Sequence, residues 1–453
     1  MLKTRISSKF ILLLVVTLLV LSCATNPDAY KDIDFAVHEN NFEAAVSAIE
    51  TGQEARTPIY SERNAIMLFL DKGLLEHYAG NYEQSSRDLQ EAERLIEEAY
   101  TKSITANFLS YIINDNTKEY PGEDFEDIYI NVFNALNYYK KGNIEGALVE
   151  IRKLSISSGK LDMLARKYEY KDPTSGASLE ELVRREAGAG TIPRGKPVEF
   201  NNSALARYLA ALFLLADGNT DGARIEFDQL HRAFLSNRNI YRNPIPDAVE
   251  QARDVPEGKA RLNVISFTGL SPIKEEEHID FYFPFQDIPA LHIAKFKLPK
   301  LVQRPNRIDR IEVVINDKDK FDLELLEDMW AVIAETFSAR YTNIVIKTYI
   351  RTLLKYAAAY GTAIEIGKRR GELAALAFAL ATKVAVEASE SADIRMSRYL
   401  PNRAHIGGIN LDPGTYNVTF NFYSGSRIIS SVEHRDVAVR ARGLNLIDAV
   451  SLN

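Results

Sequence analysis

Apolar positions in the first half of the chain recur at a helical period, and they do so in pairs separated by a turn. In the clearest pair, Ala135 and Tyr138 share one face of a first helix, and Gly142 supplies the left-handed residue that ends it. Ala147 and Ile151 then lie four apart on one face of a second helix. Small residues at 135 and 147 let two antiparallel backbones approach closely, so the pattern predicts a helical hairpin.

The same helix, turn, helix pattern occurs four times. In each copy the turn residue stands five positions before a small residue of the second helix, and a large apolar residue follows four positions later. The positions that define the packing are Asn40, Ala45 and Ile49; Gly73, Gly80, Tyr82, Ser85 and Leu89; Ala135, Tyr138, Gly142, Ala147 and Ile151; and Ala211, Gly218, Ala223 and Phe227. We therefore predict a helical repeat domain over 23–255, with an inserted loop at 155–200.

The period changes from helical to alternating after the proline-rich stretch Asn243-Pro-Ile-Pro246. The clearest alternation is 415–423, in which every second residue is apolar, as expected of a half-buried antiparallel strand. The segment 256–453 is accordingly predicted to be a β-rich domain that resembles an antiparallel sandwich. The fold class predicted for the chain is α+β.

Two helical stretches interrupt this β-rich segment, at about 322–337 and about 346–391. The second is rich in alanine, and its charge-free part, 373–382, is too short to cross a bilayer. We favour a buried helix pair packed through alanine. The alternative is a helical hairpin that bends at Lys368-Arg-Arg-Gly371 and touches a membrane.

The N-terminus has the pattern of an export signal. Lys3, Arg5 and Lys9 precede an apolar run at 10–21, which ends at Val20-Leu21-Ser22-Cys23. This ending resembles the lipobox of bacterial lipoproteins, which implies removal of residues 1–22, lipid attachment to Cys23 and, with Ala24 following, sorting to the outer membrane. The alternative is an ordinary cleaved signal with an unmodified cysteine. Cys23 is the only cysteine, so the chain cannot form an internal disulfide.

The composition and residue spacing give no support for nucleic-acid binding, a metal site or catalysis. The chain is 46% hydrophobic and 26% charged, with a net charge of −7 and no basic stretch of the kind that binds nucleic acid. None of the seven histidines has the spacing of a metal-ligand pair on a helix. No catalytic residue, metal site or cofactor is therefore predicted, and we expect the protein not to be an enzyme.

The turns Gly80-Asn-Tyr82 and Gly142-Asn-Ile144 resemble those of the tetratricopeptide repeat. The spacings between turns all exceed the ~34 residues of that repeat, so extra segments must separate the hairpins. The resemblance implies a groove lined by the first helix of each hairpin. We expect a protein or peptide partner to bind in this groove, although packing within the chain is the simpler interpretation of residues such as Tyr138.

Several stretches resemble an uncharacterised family of bacterial lipoproteins that have tetratricopeptide-like repeats and a C-terminal β-rich domain. They include Gly146-Ala-Leu-Val-Glu150, Asn202-Ser-Ala-Leu-Ala-Arg-Tyr-Leu209 and Gly269-Leu-Ser-Pro-Ile-Lys-Glu275. The resemblance implies a periplasm-facing lipoprotein of the cell envelope that acts as a scaffold or adaptor in outer-membrane or surface-structure assembly. Two alternatives remain open: an envelope hydrolase with a dispersed active site, and a membrane-remodelling or secretion component that uses the alanine-rich helices.

Overall fold

The computed structural model describes residues 27–104, 118–156, 203–282 and 293–453. The predicted leader at 1–22, the predicted lipid attachment site Cys23 and nearly all of the predicted inserted loop at 155–200 lie outside the described residues. The repeat-packing positions all lie within them.

The described helices of the N-terminal half form four hairpins. The pairs are α1 (Lys31–His38) with α2 (Phe42–Glu54), α3 (Ala65–Tyr78) with α4 (Tyr82–Ile104), α5 (Asp124–Lys140) with α6 (Ile144–Ile156), and α7 (Ala204–Ala216) with α8 (Thr220–Ser236). The second helix of each hairpin packs on the first helix of the next, so the four hairpins stack in chain order. A short helix, α9 (Asp247–Gln251), follows the last hairpin.

The four predicted turn residues share one backbone geometry. Asn40, Gly80, Gly142 and Gly218 all have positive φ, from 53° to 84°. In each turn the next amide reaches back to a carbonyl near the end of the first helix, as in Asn143 N to Tyr138 O at 2.9 Å. This pairing satisfies carbonyls that a helix end leaves free, and glycine adopts the required conformation at little cost.

Small residues lie where the two helices of a hairpin come closest. A Cβ atom added to Gly73 would stand 2.8 Å from the side chain of Leu89, so the α3–α4 contact needs glycine there. The predicted alanines of the other hairpins are all buried: Ala135, Ala147, Ala211 and Ala223. Tyr82 and Tyr138 are half-buried and lie near the turns of their hairpins.

Ten strands follow. They are β1 (Ala260–Leu270), β2 (Ile273–Tyr282), β3 (Ile293–Val302), β4 (Arg310–Ile315), β5 (Asp319–Asp322), β6 (Glu324–Asp328), β7 (Pro401–Leu411), β8 (Gly414–Ser424), β9 (Arg427–Val439) and β10 (Asn445–Ser451). Sheet one has the order β10-β1-β7-β6, and sheet two the order β5-β4-β8-β9. The β2–β3 hairpin forms a separate ladder.

Sheet one is the middle of three layers. Every residue of β1 and of β10 is buried. One face of β1, with Leu262 and Val264, packs on sheet two, where Phe420 is one of the contact residues. The opposite face, with Ile265 and Phe267, packs on the helical hairpins. The segments on the two sides of the predicted boundary at residue 255 therefore share one hydrophobic core.

A helical hairpin covers the β2–β3 ladder. It consists of α10 (Met329–Arg370), which is 42 residues long, and α11 (Glu372–Ser389), and it bends at Gly371 (φ 89°) as the sequence predicts. The rings of Phe281 and Phe296 stack at 4.2 Å beneath α10.

Three details differ from the sequence-based expectation. The helix predicted at about 322–337 begins only at Met329, because residues 324–328 form β6 and pair with β7. The helix continues without a break through residue 346, where a second helix was predicted to start. The β region is also not wholly antiparallel, since β10 runs parallel to β1. The predicted α+β class is confirmed.

Replacing Phe267 by alanine should destabilise the helices and the sheets together. Phe267 is fully buried, and its ring lies 5.0 Å from that of Phe133 on α5. A cavity there should lower the free energy of unfolding by about 3–5 kcal/mol. In urea, circular dichroism and Trp330 fluorescence should shift to the same lower midpoint. The exposed control Ile428→Ala should cost less than about 1 kcal/mol. Two separate midpoints in Phe267→Ala would contradict a shared core.

Candidate functional site: the inner face of the helical repeats

The chain itself covers the inner face of the hairpins, where the sequence predicts a partner groove. The first helices α3, α5 and α7 turn their buried sides toward sheet one. Tyrosine hydroxyls join the two layers: Tyr139 accepts from Leu446 N at 2.9 Å and donates to Leu444 O at 2.8 Å. Tyr208 lies 3.4 Å from Asn263 Oδ1. Over the described residues, sheet one therefore lies where a bound partner would be expected.

A second part of the chain also lies on this face. Residues 391–400, which we call the strap, connect α11 to β7 without regular secondary structure and are largely buried. Tyr78 of α3 donates to the backbone carbonyl of Tyr399 at 3.0 Å. Arg395 reaches the Lys118 carbonyl at 2.8 Å. The strap thus crosses the first helices much as a bound peptide would.

Asp71 of α3 is a main anchor of the strap. Its carboxylate accepts from Ser397 Oγ at 2.6 Å, from Arg398 N at 2.8 Å and from Tyr60 Oη at 2.8 Å. Burial raises the pKa of Asp71, while these hydrogen bonds, led by that of Ser397, act in the opposite direction. Asp34 of α1 also binds the strap, because its carboxylate accepts hydrogen bonds from the side chains of Arg398 and Tyr399.

Glu123 and Glu126 form a second anchor at the start of α5. Glu126 accepts from Ser397 N at 2.6 Å, from Tyr120 Oη at 2.8 Å and from Glu123 N at 2.8 Å. Burial, and then the neighbouring Glu123 carboxylate, raise the pKa of Glu126 to about 7. Burial alone would raise the pKa of Glu123 too. Arg340 and Lys274 bind its carboxylate, however, and their positive charges lower this pKa below its usual value.

A β-bulge turns Glu327 into the helical layer. The β6–β7 register shifts between Leu325 and Glu327, and a bulge of this kind re-aims a side chain. The fully buried carboxylate accepts from Tyr241 Oη at 2.7 Å, from Tyr129 Oη at 2.8 Å and from Ser203 Oγ at 2.8 Å. Burial raises the pKa of Glu327 against the effect of these bonds. Since its donors come from α5, from the residue that caps α7 and from the segment after α8, the site joins two hairpins to sheet one.

One histidine meets a carboxylate from the other half of the chain. His77 of α3 lies 3.4 Å from Asp448 of β10, and its other ring nitrogen donates to Asn137 Oδ1 at 2.7 Å. Burial raises the pKa of Asp448, but Lys140, in contact at 2.5 Å, and His77 together hold this pKa well below its usual value. The His77 side chain is 0% exposed. Both ring nitrogens thus face protein groups and no substrate can reach them, so this cluster fastens β10 to the hairpins.

The sequence prediction identified the glycines and alanines of the hairpins but missed the buried carboxylates. Acidic residues are common in the chain, and nothing in their spacing marks Asp71 or Glu327. One local signal was available, because Glu123 and Glu126 are three apart at a helix start and form a capping box. The contacts with the strap and with β6 join residues distant in sequence and leave no such pattern.

The described residues include neither a metal-ligand cluster nor a membrane-spanning helix. Among the described residues, no group of three His, Cys, Asp or Glu side chains is arranged to hold a metal ion. No helix in the described ranges combines the length and hydropathy needed to cross a bilayer. Comparisons with protein-family models, with curated proteins and with solved structures give no match to this chain.

Removing the Asp71 carboxylate should expose the strap to protease. Asp71→Ala leaves two donors of the strap and the buried Tyr60 hydroxyl without their acceptor, so local opening should become easier. We expect trypsin to cleave after Arg395 and Arg398 at least about tenfold faster, as measured by mass spectrometry. The exposed control Asp32→Ala should leave the rate unchanged. An equal rate in Asp71→Ala and in the native chain would show that Asp71 does not hold the strap.

The raised pKa of Glu126 should make stability depend on pH. In the folded protein the Glu126 carboxyl keeps its proton up to about pH 7, whereas in the unfolded chain its pKa is 4.5. Protonated Glu126 therefore stabilises the fold fully below pH 4.5, and this stabilisation is lost as the pH rises to about 7. Relative to Glu126→Gln, the native chain should lose on the order of 2–3 kcal/mol across this range, measured by urea unfolding. A difference between the two proteins that stays constant with pH would contradict the assignment.

Proposed function

We propose that the protein is a non-enzymatic, lipid-anchored scaffold or adaptor of the bacterial cell envelope. It would be held at the outer membrane through Cys23, face the periplasm and take part in outer-membrane or surface-structure assembly. The observation that carries the scaffold proposal is the stacking of four helical hairpins on a sheet whose two faces are both buried. Such a body presents a large fixed surface, which is what a scaffold requires.

The surroundings of His77 favour a scaffold over the alternative of a dispersed hydrolase. That alternative needs a histidine and a carboxylate from the two halves to meet in an accessible cleft. His77 and Asp448 do meet, but the imidazole is buried and neither of its nitrogens is open to a substrate. The pair is accounted for by its structural contacts.

The partner surface that we propose is the outer side of the hairpins. The strap and sheet one cover the inner face, so a partner could enter the predicted groove only by displacing them. The second helices α2, α4, α6 and α8 remain outside and together carry exposed charges of both signs. Examples are Arg94 and Glu98 on α4, and Arg224 on α8. A polar surface of this kind suits a protein partner that binds and releases.

Crosslinking from the outer helices tests this proposal. A photoreactive amino acid in place of Arg94 or Arg224, in the acylated chain in intact cells, should capture one and the same envelope protein. The matched control is the exposed Asp317 in the β4–β5 turn, which should capture none. Labelled fatty acid should enter the native chain but not Cys23→Ala. Failure to capture a partner from either helix would refute the adaptor role, and label in Cys23→Ala would refute the anchor.

A further inference from the structure

Helix α11 turns an apolar face to the outside. Leu373, Leu376, Leu380 and Val384 lie on one side of the helix and are 83%, 43%, 49% and 67% exposed. We call these four side chains the outward face. Ala379 lies to one side of this face and is fully buried against the rest of the molecule. The prediction of a helix pair buried through alanine is therefore wrong for most of α11: Ala379 is buried, but Ala377, Ala381 and Ala385 are exposed beside the large apolar residues.

Beyond its exposed first residue, Glu372, the charged residues of α11 contact the body of the protein. Between Leu373 and Ser389 the helix carries two charges, Lys383 and Glu387. Lys383 donates to the Ile293 carbonyl at 2.7 Å, and Glu387 accepts from Lys295 N at 3.3 Å. A helix on the surface of a globular protein normally has the opposite arrangement, with its charged residues facing water and its leucines facing the core. This inverted arrangement indicates that something other than water covers the outward face.

The neighbouring part of α10 is also free of charge. No charged residue occurs from 356 to 364 of α10, which packs along α11. Ala363 and Ala379 are both fully buried. Small or weakly polar residues on α10, such as Ala357, Ala358 and Gly361, are exposed. Each helix of the hairpin therefore has an uncharged stretch, and the charged residues within 365–372 lie between the two stretches, at the bend.

The bend itself is basic. Lys368, Arg369 and Arg370 are exposed in the last turn of α10, and Gly371 and the exposed Glu372 separate them from Leu373. Arg369 forms an exposed pair with Glu365 at 2.6 Å. An apolar helix face bordered by cations is the chemistry that binds the interface of an anionic bilayer. Leucines enter the boundary between headgroups and acyl chains, and the cations meet the headgroups.

We propose that the outward face docks flat on an anionic lipid surface, with Lys368, Arg369 and Arg370 at the level of the headgroups. A protein partner would normally need a rim of hydrogen-bonding groups around such a face to fix its position. The outward face has no polar side chain among its four members, and lipid chains require none. The contact lies in the plane of the membrane and does not cross it. It goes beyond the scaffold function and does not depend on acylation of Cys23.

Vesicle binding by a chain without acyl groups tests this proposal. The chain from residue 23 onward, with Cys23→Ala, contains every described residue. It should sediment with vesicles of equal parts phosphatidylglycerol and phosphatidylcholine, and at least about tenfold less with phosphatidylcholine alone. Leu373→Glu/Leu380→Glu should reduce binding by at least about tenfold, because it places charge in the apolar layer. Replacing Lys368, Arg369 and Arg370 by glutamine should abolish the preference for anionic vesicles.

Matched controls separate this surface from general stickiness. Leu235→Glu on α8 changes an exposed leucine of similar accessibility elsewhere and should bind as the parent does. Absence of vesicle binding, or equal binding by Leu373→Glu/Leu380→Glu, would overturn the proposal. So would a dimer, seen by light scattering, that Leu373→Glu/Leu380→Glu disrupts, because the face would then be covered by a second copy. None of these results bears on fatty-acid labelling at Cys23 or on crosslinking from Arg94.

Discussion

Burial of sheet one on both faces is the constraint from which the rest of the architecture follows. A strand such as β1, with no residue exposed, is stable only if both sides of its sheet are covered. Sheet two covers one side and the helical hairpins cover the other. The helical repeats therefore depend on the β region for their inner contacts, and the β region depends on the repeats. This mutual dependence explains why the inner face of the repeats is unavailable to other molecules.

Buried carboxylates determine how the helical layer sits on the sheet. Apolar contacts between helices and a sheet tolerate sliding, whereas an unpaired buried carboxylate is costly, so Asp71, Glu126 and Glu327 favour one arrangement. Each of them accepts hydrogen bonds from groups distant in the chain, and Glu327 does so only because of the bulge in β6. The tyrosines at this interface act in the same way, with an apolar ring in the core and a hydroxyl directed to one acceptor.

The local elements could be predicted because their causes are local. Left-handed turns at Gly142 and Gly218 follow from residues adjacent in sequence, and so does the strand at 415–423. The start of α10 could not be predicted, since the apolar spacing from Leu323 onward fits a helix and only pairing with β7 makes 324–328 a strand. The position of the strap and the parallel pairing of β10 also depend on partners far along the chain. Composition identified the alanine-rich helices but not which of their faces points outward.

The order of strands in sheet one has a kinetic consequence. Leu262 pairs with Asn445 on one side and with Ile409 on the other, so the sheet forms only when widely separated segments meet. Contacts of this kind form slowly because the entropy of long loops must be overcome first, whereas helical hairpins form early. Until sheet one has formed, the apolar inner faces of the hairpins are exposed to water. In this folding intermediate the polypeptide is most prone to aggregate and most in need of a chaperone.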